Sequence, residues 1–309
     1  MSAVLEASAM RGVWSATPTP LRVDRTVDLA AAPRLVEHHL RLGVRGLFLG
    51  GTCGEGPWLP PGELRRFVRA VVEAAAGRLL LAVQITDNSA ARMAENARAA
   101  AADGADLAVI APPYFLLNAT PANLVSLYAE AVAASPLPVG IYDRGKHGAV
   151  VVPNEALAEI YALDPVVLVK DSSCDPARRD IALAARASRP GLVLLDGDEF
   201  HCVEYIQAGY DGLLLGGGIF NAVLAGQICA TVRAGDLARA NAIQERMNRL
   251  MYDVYGGTEI ACWLTGLKEL LVRLGVFTTN TSFLNYPLTA ACSQAIDEAI
   301  RRERAVLLP

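Results

Sequence analysis

Short apolar runs, each followed by a stretch of helical periodicity, recur through the chain from residue 12 to residue 234 without a break. The runs lie at 12–16, 46–50, 79–84, 107–111, 138–142, 166–170, 192–195 and 212–215. Between and after them, helical patterns occupy 28–42, 61–76, 89–102, 121–134, 154–163, 176–187, 199–208 and 221–234. Runs that are continuously aliphatic, rather than alternating with polar residues, suit strands buried on both faces, as in a parallel sheet covered by helices. Eight strand-helix units in strict alternation predict an α/β fold in which the sheet closes on itself, a (β/α)8 TIM barrel. From Gly235 the period changes. Helices are predicted at 237–252, 259–274 and 290–306 with no strand between them. The expected organisation is a barrel over 1–235 and a small C-terminal helical layer, 236–309, packed on it. A length of 309 residues suits one barrel of about 250 residues with an appendage.

Composition narrows the function classes. Apolar residues make up 53% of the chain and charged residues 19%, the balance of a well-buried enzyme rather than of a disordered chain. The net charge of −4 gives a nucleic acid no overall attraction. No apolar run reaches the roughly 18 to 20 residues of a membrane span, and residues 1–10 lack the basic start and apolar centre of a signal peptide. The expected compartment is the cytoplasm. The cysteines, Cys53, Cys174, Cys202, Cys229, Cys262 and Cys292, are scattered, with no Cys-x-x-Cys pair and no cysteine–histidine cluster at zinc spacing. Neither a metal nor another cofactor is expected.

The run Val166-Val167-Leu168-Val169 leads straight into Lys170. Burying an ammonium is costly, and lysines at such positions commonly become neutral nucleophiles that condense with carbonyls. The plain structural alternative is a strand-end lysine that reaches solvent or pairs with Asp171. In a barrel of this kind, chemistry sits at the C-terminal ends of the strands. Collected there are Thr17 after the first strand, Gly50-Gly51-Thr52-Cys53-Gly54-Glu55 after the second, and Tyr114-Phe115 after the fourth. Tyr142-Asp143-Arg144 follows the fifth, Lys170 ends the sixth, and Gly216-Gly217-Gly218 follows the eighth. A lysine nucleophile, a tyrosine that can relay protons and a glycine loop whose amides can approach a carboxylate are what imine chemistry requires.

On Gly50-Gly51-Thr52-Cys53-Gly54-Glu55, Tyr142 and Lys170, taken in that order and spacing, the chain resembles the dihydrodipicolinate synthase and N-acetylneuraminate lyase family of Schiff-base barrels. The resemblance runs from about residue 12 to residue 288 and includes the C-terminal helices. It implies that Lys170 forms an imine with pyruvate or a longer 2-oxo acid, that Tyr142 and Thr52 move protons, and that Gly51, Thr52 and Cys53 hold the carboxylate. Arg144, Gly217 and Gly218 complete the expected binding set. It also implies a homotetramer built as a dimer of dimers.

Departures from the family pattern bear on the reaction. Where the family loop commonly carries two threonines, this chain has Thr52-Cys53. Where the synthases carry two tyrosines, the second reaching across a subunit interface to complete a proton relay, this chain has Tyr114-Phe115. Tyr-x-Arg-Gly after the fifth strand and Lys-Asp after the sixth resemble the ketodeoxyglucarate dehydratase branch, and the Gly216-Gly217-Gly218 loop reads as about two residues longer than usual. The reading is a lyase, aldolase or dehydratase, acting on a 2-oxo acid through a lysine imine. Its alternatives are a 4-hydroxy-tetrahydrodipicolinate synthase, an idle keto-acid or sugar-acid binder, and a metal-dependent aldolase using Asp196, Asp198 and Glu199. For that last trio a structural or helix-capping role is the expectation. Trp14 and Trp58 are candidates for the mouth or for the core, and Arg65-Arg66 and Arg178-Arg179 are expected on solvated helix faces.

Overall fold

The computed structural model describes residues 5–309; residues 1–4, part of the stretch read above for a leader, lie outside the described residues. A short helix α1 (Ala7–Met10) precedes the strands β1 (Gly12–Ala16), β2 (Gly46–Leu49), β3 (Leu80–Gln84) and β4 (Leu107–Ile110). They are followed by β5 (Val139–Asp143), β6 (Val166–Asp171), β7 (Val193–Asp196) and β8 (Gly212–Leu215). All neighbours are parallel, and β8 pairs with β1, so the sheet closes in sequence order. Each strand falls within one residue of its expected limits at either end.

The intervening helices are α2 (Ala32–Arg41), α3 (Pro61–Ala75), α4 (Ala90–Ala102), α5 (Pro121–Ala133), α6 (Asn154–Ala162), α7 (Pro176–Ser188), α8 (Cys202–Ala208) and α9 (Gly218–Arg233). Several starts are written in the sequence. Thr120 and Asp175 accept hydrogen bonds from Asn123 N and Ala177 N, and proline stands at the first helical position after each, where its missing N–H costs nothing. Four starts differ from expectation by three residues or more. The helix expected from residue 28 opens as a 3-10 turn over Leu29–Ala31 and becomes α-helical at Ala32, and the helix expected from residue 259 begins at Trp263. The helix anticipated from residue 199 begins at Cys202, because Asp198 and Glu199 spend their carboxylates on other partners. The helix anticipated from residue 221 begins at Gly218, so the third glycine of the expected long loop is already helical. Helices α10 (Leu237–Tyr255), α11 (Trp263–Arg273), α12 (Ala290–Arg302) and α13 (Arg304–Leu307) follow. Among the described residues no helix is long and apolar enough to cross a membrane.

Strand register sets the site. Tyr142 pairs with Lys170, and Lys170 with Leu195; one residue later Asp143 pairs with Asp171, and Asp171 with Asp196. Successive side chains on a strand point to opposite faces, so the first row faces the barrel interior and the row of acids faces the helices. Each acid fixes the turn that follows it. Asp143 Oδ1 accepts from Gly145 N at 2.9 Å, Asp171 Oδ1 from Ser173 N at 2.9 Å, and Asp196 Oδ1 from Asp198 N at 2.7 Å, the aspartate turn in which a side chain bonds its own backbone two residues on. Asp143 is further held by Arg178 at 2.7 Å. This corrects the expectation that Arg178 is solvated: it is 5% exposed, and it also donates to the Val152 carbonyl. Arg65 does reach the surface, paired with Asp103.

The two adjacent histidines of α2 are both buried. His38 Nε2 meets the Ile219 carbonyl at 2.7 Å, and His39 Nδ1 meets the Leu35 carbonyl at 2.8 Å. Burial, with the neighbouring His38 second, pushes His39 down to about 3. The unfolded chain therefore binds a proton near pH 6.5 that the folded chain refuses, so stability falls as pH drops from about 6.5 toward 3. His39→Leu should flatten that decline. Melting temperature should fall more steeply toward low pH for the unmodified chain than for His39→Leu across this window; parallel curves would contradict the assignment.

Candidate active site

At the C-terminal mouth of the barrel a cavity of about 220 Å³ is lined by Lys170, Tyr142, Thr52, Cys53, Arg144 and Glu199, together with Ser172, Gly197, Gly216, His147 and Trp263. Lys170, at the end of β6, is 5% exposed, and its Nζ lies 4.0 Å from the Tyr142 ring centroid and 5.2 Å from that of Phe48. Among the described residues no carboxylate forms an ion pair with Lys170. The alternative of a Lys170–Asp171 pair is not what forms: Asp171 faces the helices, with Oδ2 accepting from Tyr210 OH at 2.8 Å.

Burial alone would raise the Tyr142 phenol. The positive charges of Lys170 and Arg144, with hydrogen bonding to Thr52 and Lys170, outweigh it and hold the phenol below its usual value of 10. A phenol so placed exchanges protons more readily near neutrality than a free one. Cys53 behaves differently. Burial, then the Glu199 charge, pushes its thiol up to about 12, so it stays protonated and acts as a wall rather than a nucleophile; its Sγ lies 3.8 Å from the Gly216 carbonyl.

The glycine loop after β2 is fixed by close packing. A Cβ on Gly56 would stand 1.8 Å from the Gly50 carbonyl oxygen, so the turn that presents Thr52 and Cys53 closes only with glycine there. Glu55, in the left-handed region at φ 56°, turns away from the cavity. Its Oε1 accepts from Ser282 Oγ and Phe283 N, and Oε2 accepts from Lys268 of α11. Close packing also governs Gly197, where a Cβ would stand 2.0 Å from Ser172 Oγ and 3.0 Å from Lys170 Cε.

Of the residues expected at the site, Lys170, Tyr142, Thr52, Cys53 and Arg144 meet at this cavity. Gly51, Gly217 and Gly218 do not line it. A Cβ at Gly51 would meet the Phe48 ring, the Gly217 N–H is taken by Glu199 Oε2 at 2.7 Å, and Gly218 packs against β1. The acidic trio diverges. Asp196 turns to Asp198 N, Asp198 to Phe200 N and His201, and Glu199 to Gly217 N and Tyr255 OH. Among the described residues no three histidine, cysteine, aspartate or glutamate side chains converge as a metal-holding group. The expected helix-capping role is not taken up by Asp198: its carboxylate meets Phe200 N and His201 Nδ1, and among the described residues no side chain caps the helix that starts at Cys202. Trp14 is core, with no exposure and its Nε1 donating to the Met10 carbonyl. Trp58 is 45% exposed and lines an outer cavity of about 370 Å³ together with Pro113, Tyr114, Gln84, Thr52 and Arg144.

Sequence reasoning missed Glu199, Ser172 and Trp263 as walls of the site. Ser172 carried a signal, since it follows Lys170 by two residues and so returns to the same side of the chain. Trp263 carried none, because it arrives from the C-terminal helices.

The fold and the mouth define a (β/α)8 barrel with a buried strand-end lysine beside a tyrosine. The family model for the dihydrodipicolinate synthetase family matches residues 9–301, and the chain belongs to that family. A 4-hydroxy-tetrahydrodipicolinate synthase of Anaeromyxobacter sp. is 31% identical over 246 residues, 79% of this chain and 82% of that protein. Another from Xanthomonas campestris pv. campestris is 30% identical, covering 94% and 93%. Among solved structures, dihydrodipicolinate synthase from Bacteroides thetaiotaomicron superposes with a TM-score of 0.85 at 27% identity, covering 95% of this chain and 98% of that one.

Proposed function

We propose that this chain is a Schiff-base lyase in which Lys170 condenses with the keto carbon of pyruvate or a longer 2-oxo acid. The observation that carries it is the buried Lys170 Nζ, 4.0 Å from the Tyr142 ring centroid, in a cavity lined by Thr52 and Cys53. A protonated imine is an electron sink that lets the neighbouring carbon lose a proton or break a carbon–carbon bond. Tyr142 moves the protons, the loop bearing Thr52 and Cys53 faces the substrate carboxylate, and Arg144, shared by the inner and outer cavities, faces the far end of a longer acid. The reaction needs no metal or organic cofactor. We place the protein in the cytoplasm, acting on a small-molecule substrate as a homotetramer, on family resemblance.

The second reading, a 4-hydroxy-tetrahydrodipicolinate synthase, is favoured by the names of the relatives. Against it stands Phe115, which is 64% exposed and offers no hydroxyl where the synthases are expected to pass a proton. A missing acid–base link costs about 10²- to 10⁴-fold. The unmodified chain should therefore exchange the methyl protons of pyruvate for deuterium in D₂O, followed by NMR, while condensing pyruvate with aspartate semialdehyde poorly in an assay coupled to dihydrodipicolinate reductase. Condensation at about 10 per second or faster would assign it to the synthases instead.

A further inference from the structure

All six cysteines are free thiols, and two of them meet in the C-terminal helical layer, where the chemistry assigned to Lys170 uses neither. Cys262 stands at the N-cap position of α11, and Cys292 lies in the first turn of α12. Thr289 bridges them, its Oγ1 lying 3.6 Å from Cys262 Sγ and accepting from Cys292 N at 3.1 Å. The two thiols are themselves in hydrogen-bond contact. Glycine leaves room for this meeting: a Cβ on Gly256 would stand 2.6 Å from Cys262 Sγ, and one on Gly266 would stand 3.3 Å from Cys292 Sγ. The sulfurs are out of bulk water, with Cys262 fully buried and Cys292 2% exposed. What lies next to the pair belongs to the site. Trp263, one residue on, lines the Lys170 cavity, and Cys262 N donates at 2.8 Å to the carbonyl of Tyr255, whose hydroxyl holds Glu199.

We propose that Cys262 and Cys292 form a site of reversible oxidation, a disulfide that clamps α11 to α12 behind the Lys170 cavity. The oxidant that suits buried sulfurs is hydrogen peroxide, which is small and uncharged, rather than a bulky disulfide such as oxidised glutathione. The Cys262 sulfur attacks one peroxide oxygen, the O–O bond breaks, and the departing hydroxide leaves as water with the thiol proton, which makes Cys262 a sulfenic acid. Burial, then the Cys262 thiol beside it, pushes Cys292 up to about 12, so Cys292 stays a thiol and takes the second step. Its sulfur attacks the Cys262 sulfur, the S–O bond breaks, and the hydroxide released carries off the Cys292 proton as a second water. The two thiols have lost two electrons, and one peroxide has become two waters. A dithiol reverses the change by exchange, as befits a bond that senses rather than one that is permanent. The segment it closes contains Lys268, Ser282 and Phe283, which hold Glu55. The bond therefore ties down the anchor of the substrate loop as well as the backbone next to Trp263.

The test treats the whole reduced protein with hydrogen peroxide, labels the remaining thiols with N-ethylmaleimide after unfolding, and maps the peptides. Cys262 and Cys292 should appear as one cross-linked pair, two hydrogens lighter than its parts, that dithiothreitol reopens, while Cys53, Cys202 and Cys229 carry the label. The melting temperature should rise by about 5 °C on oxidation, since the bond restricts the unfolded chain. Cys262→Ala and Cys292→Ala should each show no cross-link and no rise. The pyruvate concentration that half-saturates borohydride trapping should climb in the oxidised protein and return with dithiothreitol, because Trp263 no longer yields to an entering acid. Peroxide treatment that leaves both thiols labelled, or that joins either to a different cysteine, would overturn the proposal. So would a melting temperature that rises equally in the two variants, or trapping that oxidation leaves untouched. The trapping arm alone rests on the Schiff-base reading: a chain that forms the pair and melts higher, yet never traps pyruvate, would count against that reading and leave the clamp standing.

Discussion

Lys268→Met is expected to destabilise the protein by about 3 to 5 kcal/mol, the usual cost of stranding one partner of a buried ion pair. Lys268 and Glu55 are both fully buried. Lys268 Nζ also donates to the Thr281 carbonyl at 2.8 Å, so the pair joins the loop after β2, the helix α11 and the segment carrying Thr281, Ser282 and Phe283. Without the ammonium, the Glu55 carboxylate keeps Ser282 Oγ and Phe283 N but loses its counter-charge in a site that water does not reach. Glu55 follows Cys53 by two residues, so the same loss should loosen the loop that faces the substrate carboxylate. Urea unfolding should show a lower midpoint at an unchanged slope, and imine trapping should need more pyruvate. Glu55→Gln combined with Lys268→Met should recover part of the stability, because no unpaired charge is then buried. An unmoved midpoint in the single variant would mean that the pair contributes nothing to the fold.

Tyr142→Phe is expected to reduce turnover by about 10²- to 10⁴-fold while leaving Lys170 able to form its imine. The phenol ring packs edge-on against Phe48, centroids 5.8 Å apart, and Phe keeps that contact, so the effect belongs to the hydroxyl. The variant should also lose one spectroscopic event. With Lys170, Arg144 and Thr52 together overcoming burial, Tyr142 ionises below 10, whereas burial pushes Tyr114 up to about 12. A titration followed by tyrosinate absorbance should show an ionisation below pH 10 that Tyr142→Phe removes. An unchanged titration, or full activity in the variant, would relieve Tyr142 of its role.

The barrel was legible because its signal is periodic. Continuous aliphatic runs mark strands buried on both faces, and the change of period after Gly235 marks the switch to helices alone. Lys170, Tyr142 and Thr52 were legible because each directly ends or follows such a run. What escaped the sequence depends on side chains meeting across long separations. Arg178 reads as half of an exposed pair until α7 is laid against β5, where Asp143 captures it. Glu199 reads as a helix cap, and only the approach of Tyr255 from α10 and of Gly217 from the loop after β8 turns it to the cavity. The repeated aspartate turn at the ends of β5, β6 and β7 becomes visible only when register aligns Asp143, Asp171 and Asp196. Gly217 and Gly218 were read as ligand-binding because glycine runs often free backbone amides for anions. Here one amide is spent on Glu199 and the other glycine serves close helix packing.

The covalent step is the most direct point of attack on the account. Borohydride added to the protein with pyruvate should reduce the imine and leave a stable adduct, and peptide mass spectrometry should find it on Lys170 and on no other lysine, with Lys170→Met forming none. A protein that turns over a 2-oxo acid, yet carries no adduct on Lys170 or carries it elsewhere, would contradict the assignment of Lys170 as the nucleophile.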